Sequence, residues 1–168
     1  MDSPKTVDQD IAKAQQTYAT RLNKLLTAVR KQNPKAPVFI MSIYNPVYTY
    51  FPDVSTINDS ITKWNTTTQE VMKGYPRMYF VDINHLMSWG QYQTPAQRQA
   101  LVQKEEQVNQ GKVTQSRILN IMKNRDHNLN KFISTEDNFH PNHQGYERMA
   151  IQLFKVMKDH DSWEYVKN

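Results

Sequence analysis

Two short apolar runs one helix apart constrain this chain more than any other feature. Ala36-Pro-Val-Phe-Ile-Met-Ser-Ile43 and Arg77-Met-Tyr-Phe-Val-Asp-Ile83 each read as a strand. Between them, Val54, Ile57, Ile61, Trp64, Val71 and Met72 form one stripe of a helix running from about Val54 to Lys73. Strand, helix, strand at this spacing is a βαβ unit. It calls for a parallel pair joined by a right-handed crossover. Because the first run is continuously apolar, it is expected to be a buried strand.

Helices flank this unit. Ile11, Tyr18, Leu22, Leu25, Leu26 and Val29 share a face of a long helix over 7–32, which Asn33-Pro34 ends. A last helix over about 143–159 carries Tyr146, Met149, Ala150, Leu153, Phe154 and Met157 as its stripe. Asp53 is placed to cap the middle helix, and Gly74 to stop it in a left-handed turn. Residues 84–131 hold helical patterns near 95–110 and 114–124 but no strand. They read as a helical insertion in one domain of 168 residues. Leu101, Val102, Ile118, Leu119, Ile121 and Met122 would supply its apolar contacts.

Composition narrows the chemistry. There is no cysteine, so thiolate metal sites and a cysteine nucleophile are excluded. The four glycines, Gly74, Gly90, Gly111 and Gly145, are far apart, so there is no phosphate cradle and no G-x-S-x-G elbow. The net charge of +5 is spread along helical stretches among acids and glutamines. That is a solvated face, and no nucleic-acid partner is expected.

The chemically informative stretch is Ser134-Thr-Glu-Asp-Asn-Phe-His-Pro-Asn-His-Gln-Gly-Tyr146, just before the last helix. An Asp and a His three residues apart on a loop can pair. The carboxylate then fixes the imidazole tautomer and stabilises the imidazolium formed when the other nitrogen takes a proton. Asp137 and His140 are therefore the candidate orienter and general base. Pro141 keeps His140 out of helical geometry. It also denies Asp137, His140 and His143 a continuous helix from which to hold a metal, and no metal or organic cofactor is expected. A structural reading remains open, in which Asp137 and Asn142 only cap the last helix. Asp82 either faces a ligand at the strand end or caps the next turn. The aromatics from Tyr44 to Phe51 either line a pocket, with Asn45 and Tyr48 as substrate contacts, or pack a corner. His127 reads as a surface loop residue.

Asp137-Asn-Phe-His140-Pro-Asn-His-Gln-Gly145-Tyr146 resembles the last block of the SGNH (GDSL-type) hydrolases. It is closest to the bacterial lipase/acylhydrolase branch, where D-G-x-H-P-N-x-x-G-Y leads into the terminal helix. Ser42-Ile-Tyr-Asn-Pro46 and Val81-Asp82-Ile83 fit that branch in the same order. The resemblance implies the C-terminal portion of a flavodoxin-like three-layer α/β/α fold with an inserted helical segment, and hydrolysis of acyl esters of lipids, sugars or small alcohols. It also implies a G-D-S nucleophile block and a G-x-N-D oxyanion block, and neither is present. Asn58-Asp59-Ser60 lies inside the middle helix, and Ser134 lies on the loop of Asp137 itself. The expectation is a fragment that carries the His–Asp half of a triad and is inactive alone. The alternative is a non-catalytic binding domain that keeps the fold. A fragment would leave one edge of the strand at 36–43 unpaired, open to homo-oligomer pairing. No signal or membrane-spanning segment is seen. The composition suits a Gram-positive surface protein, extracellular or membrane-anchored in the parent protein.

Overall fold

Residues 4–123 and 129–160 are described by the computed structural model. Helix α1 (Pro4–Gln32) leads into strand β1 (Val38–Met41), helix α2 (Ser55–Met72) and strand β2 (Met78–Val81). Three helices follow, α3 (Asn84–Trp89), α4 (Pro95–Asn109) and α5 (Gln115–Lys123), and then α6 (His143–Asp159). The fold is mixed α/β and mostly helical. The strands pair in parallel, Val38 opposite Met78 and Met41 opposite Val81.

Alternate strand residues face opposite sides. Ile40, Met78 and Phe80 pack on Leu22 and Leu26 of α1 and Met72 of α2. Phe39, Met41 and Val81 pack toward Ile83, Met87, Phe132 and Ile133, with Met149, Leu153 and Val156 of α6. Helices thus lie on both faces of the sheet. A third cluster, Tyr50, Phe51, Val54 and Ile121, seats α5 against the loop after β1.

The expected fully buried strand is corrected. All four residues of β1 are half-buried, because among the described residues the sheet has two strands and β1 has a partner on one side. Its outer edge is not bare throughout. Asn65 of α2 donates to the Ile43 carbonyl and accepts from the Ile43 amide, both at 2.9 Å, as a neighbouring strand would.

Several local expectations change. Asp53 does not cap α2, whose N-cap is Val54 with no side-chain bond. Its carboxylate instead accepts from the Gly111 amide at 2.8 Å and the Asn109 side chain at 3.1 Å. Gly74 is not left-handed. α2 ends by tightening, with the Gly74 amide on Val71 O and the Tyr75 amide on Met72 O, and positive φ comes later, at Arg77. The apolar stripes are only partly covered: Leu25, Ile118, Leu119, Tyr146, Phe154 and Ala150 are exposed. Leu101 and Ile121 are buried as expected and Val102 is half-buried. His127 and the side chain of Met122 lie outside the described residues. Among the described residues, no helix is long and apolar enough to cross a membrane.

Candidate active site

The loop between β-bridge partners Ile133 and Pro141 carries the Asp137–His140 pair. Its stem is closed by the Ser134 amide on His140 O (2.8 Å) and the Asn142 amide on Phe132 O (3.0 Å). Asn142 caps α6 by accepting from the Gly145 amide at 3.0 Å, while its amide nitrogen donates to Lys131 O and Ile133 O. Of the two residues suggested as caps, Asn142 is one and Asp137 is not.

Asp137 turns its carboxylate back on its own loop. Oδ1 accepts from the amides of Phe139 (2.9 Å) and His140 (3.0 Å), and Oδ2 lies 2.6 Å from His140 Nδ1. The two amides, then the imidazole, hold the Asp137 pKa down at about 2. An ionised carboxylate only accepts, so Nδ1 carries a proton, and in the neutral ring the lone pair is then on Nε2. Among the described residues Nε2 has no partner, and the ring is mostly exposed. The pairing orients the ring and leaves one of its nitrogens open to solvent.

The depressed pKa has a consequence for pH. Asp137 binds a proton less readily folded than unfolded, so its contribution to stability is present above the unfolded pKa near 3.8. It is lost as pH falls toward about 2. The Asp137 side-chain carboxyl carbon is expected to move mainly below about pH 4 in an NMR titration, with a midpoint at about 2. A midpoint at the ordinary carboxylate value would overturn the assignment.

Asn138 takes φ 61°, a left-handed conformation suited to glycine or asparagine. That accounts for Asn standing where the resembling motif has Gly. Gly145 lets α6 approach the loop stem, since a Cβ there would lie 2.2 Å from Phe132 O.

The pair stands at the C-terminal end of the strands. There a cavity of about 320 Å³ is lined by Met41, Ile43, Tyr44, Ile83, Phe139 and His140, among others. Parallel sheets place their ligands at this end. The other candidates are not gathered here. Asn45 is 1% exposed, its amide nitrogen on Asn58 and its oxygen on the Val47 amide. Tyr48 is buried in the same loop. Both build the loop, and neither is among the residues lining this cavity. Asp82 accepts from the Asn84 amide and the Ser42 hydroxyl, a turn-capping role. Ser60 is inside α2, its hydroxyl on Thr56 O, and the Ser134 hydroxyl accepts from the Glu136 amide. Of the aromatics read as lining a pocket or packing a corner, Tyr44 lines this cavity, directly before Asn45-Pro46 and just past the end of β1.

The sequence profile of the GDSL-like lipase/acylhydrolase family matches residues 2–153. The chain belongs to that family. It is also similar to "Uncharacterized protein YpmR" of Bacillus subtilis (strain 168), 25% identical over 145 residues. The alignment covers 86% of this chain and 42% of that protein, so the chain spans less than half the length of this relative. No solved structure matches it. Membership in the GDSL-like family gives the chain a hydrolase lineage, and the family as a whole acts on esters.

Proposed function

We propose that this chain supplies the acid–base half of a serine acyl-ester hydrolase, and that its helices and parallel strands are the C-terminal portion of a flavodoxin-like three-layer sandwich. The observation that carries this reading is the 2.6 Å contact between Asp137 Oδ2 and His140 Nδ1, with Nε2 free beside a cavity at the strand ends. In the reaction, His140 takes the proton of a serine hydroxyl as that oxygen attacks the acyl carbonyl. It then delivers the proton to the leaving alcohol, and in the second half activates water against the acyl-enzyme. Asp137 holds the ring and stabilises its cationic form. The serine and the oxyanion donors come from outside this chain. Two features support that division: among the described residues no serine hydroxyl is hydrogen-bonded to the His140 ring, and the resembling pattern around His140 is kept except for Asn138 in place of Gly. The substrates are acyl esters, and an apolar cavity wall beside His140 suits the hydrocarbon side of such a bond.

The test is hydrolysis of p-nitrophenyl acetate by the natural gene product and by its His140→Ala variant. The chain of 168 residues alone is expected to turn over the ester at the buffer rate. Equal turnover by the natural product and the variant would sink the assignment of His140 as base.

A further inference from the structure

We propose that Tyr44 is a positioning residue for the His140–Asp137 pair, its hydroxyl clamping the peptide that joins Phe139 to His140 and so tying the base to the end of β1. This deepens the hydrolase reading above and rests on it.

The Tyr44 hydroxyl donates to Phe139 O at 2.7 Å, across 95 positions of sequence. The Phe139 carbonyl and the His140 amide belong to one planar peptide group. On its other side that group donates, through the His140 amide, to Asp137 Oδ1 at 3.0 Å. The plane is therefore held on both edges, by the loop's own carboxylate on one and by the sheet on the other. Rotating it would carry the imidazole away from Asp137 Oδ2.

The rest of the network explains why an outside hold matters. Every hydrogen bond made by Asp137 stays within its own loop. The side chain of Asn138 ties the loop to Ile121 O of α5 at 3.3 Å. Tyr44 ties it to the sheet, and the sheet end is where the cavity lies. His140, Phe139 and Asp137 are exposed, so packing alone does little to fix them. Tyr44 itself is half-buried and packs against the cluster of Val81, Ile83 and Phe132, which gives the tether a rigid base.

The hydroxyl also stays a donor. Burial, with Tyr146 of α6 and Asp137 as the charged or titratable groups facing it, pushes its pKa up to about 12. It is protonated at any pH at which the enzyme would work.

Tyr44→Phe removes the donor and keeps the ring. In the isotope-labelled chain at neutral pH, we expect the Phe139 carbonyl carbon to shift upfield and the His140 amide to move. On acid titration, we expect the Asp137 carboxyl midpoint to rise from about 2 toward the ordinary carboxylate range. Tyr146→Phe, which removes a nearby hydroxyl not bonded to the loop, should leave all three signals in place. Unchanged signals in Tyr44→Phe would overturn the proposal, and so would equal shifts in both variants. The readout needs no substrate. Shifts confined to Tyr44→Phe, with no ester turnover by the natural gene product, would support the clamp and count against the hydrolase. Turnover that needs His140, with no shift, would do the reverse.

Discussion

Replacing His140 with alanine is expected to lower kcat/KM for p-nitrophenyl acetate by about 10⁴- to 10⁶-fold in the natural gene product. The size follows from what the imidazole does. Nε2 is the only basic atom the dyad presents, and without it a neutral serine must attack unaided. The loss should fall on kcat, with KM nearly unchanged, because the imidazole acts on the transition state and contributes little to holding the ester. Asp137→Asn should cost less. The asparagine side chain can still accept from the Phe139 and His140 amides, which keeps the loop folded, but it no longer stabilises an imidazolium at Nδ1. A loss of less than tenfold in His140→Ala would point to another base. A large rise in KM at constant kcat would point to substrate binding instead of proton transfer.

Gly145→Ala is expected to destabilise the fold by about 3 kcal/mol, at the upper end for overpacking a tight contact. Helix propensity alone argues the other way, since alanine is favoured over glycine inside a helix by about 1 kcal/mol. Sterics decide the sign. The new methyl would stand 2.2 Å from Phe132 O, which is backbone and cannot swing aside, and 2.9 Å from Pro141 Cβ. Phe132 O already accepts the Asn142 amide that closes the loop stem. Relief would therefore move α6 or the stem of the Asp137 loop, and activity should fall along with stability. Gly74→Ala is the contrast. It has a negative φ and its nearest contact is 3.5 Å away, so it should be neutral or stabilising by up to about 1 kcal/mol. Urea midpoints for the two variants read both values. Equal midpoints would refute the role given to Gly145.

Much of this was legible in the sequence because it is local. The two strands and α2 follow from apolar runs and a helical stripe. The start of α6 follows from Pro141 and Asn142, and the dyad follows from the spacing of Asp137 and His140 on a loop. What escaped is long-range. Nothing near Asp53 announces that its carboxylate will hold Gly111 and Asn109 in preference to the neighbouring helix. Arg77 carries the positive φ that Gly74 was expected to take, since the helix could end by tightening without a left-handed residue. Periodicity shows which side of α6 is apolar, but not that Tyr146 and Phe154 would face outward while Met149, Leu153 and Val156 meet the sheet. Asn45 spends the polarity of its side chain on Asn58 and the Val47 amide.

The grip of Asn65 on Ile43 makes the outer edge of β1 a ruler. Alternation leaves Phe39 and Met41 pointing their backbone groups outward, and the next rung is already taken. A strand laid against this edge has two residues to pair with and a fixed place to stop, so it cannot slide along the edge as it could along an open one. Self-association through so short a ladder would have little backbone pairing to rest on. The same stop would give a true neighbour, from whatever source, a single register.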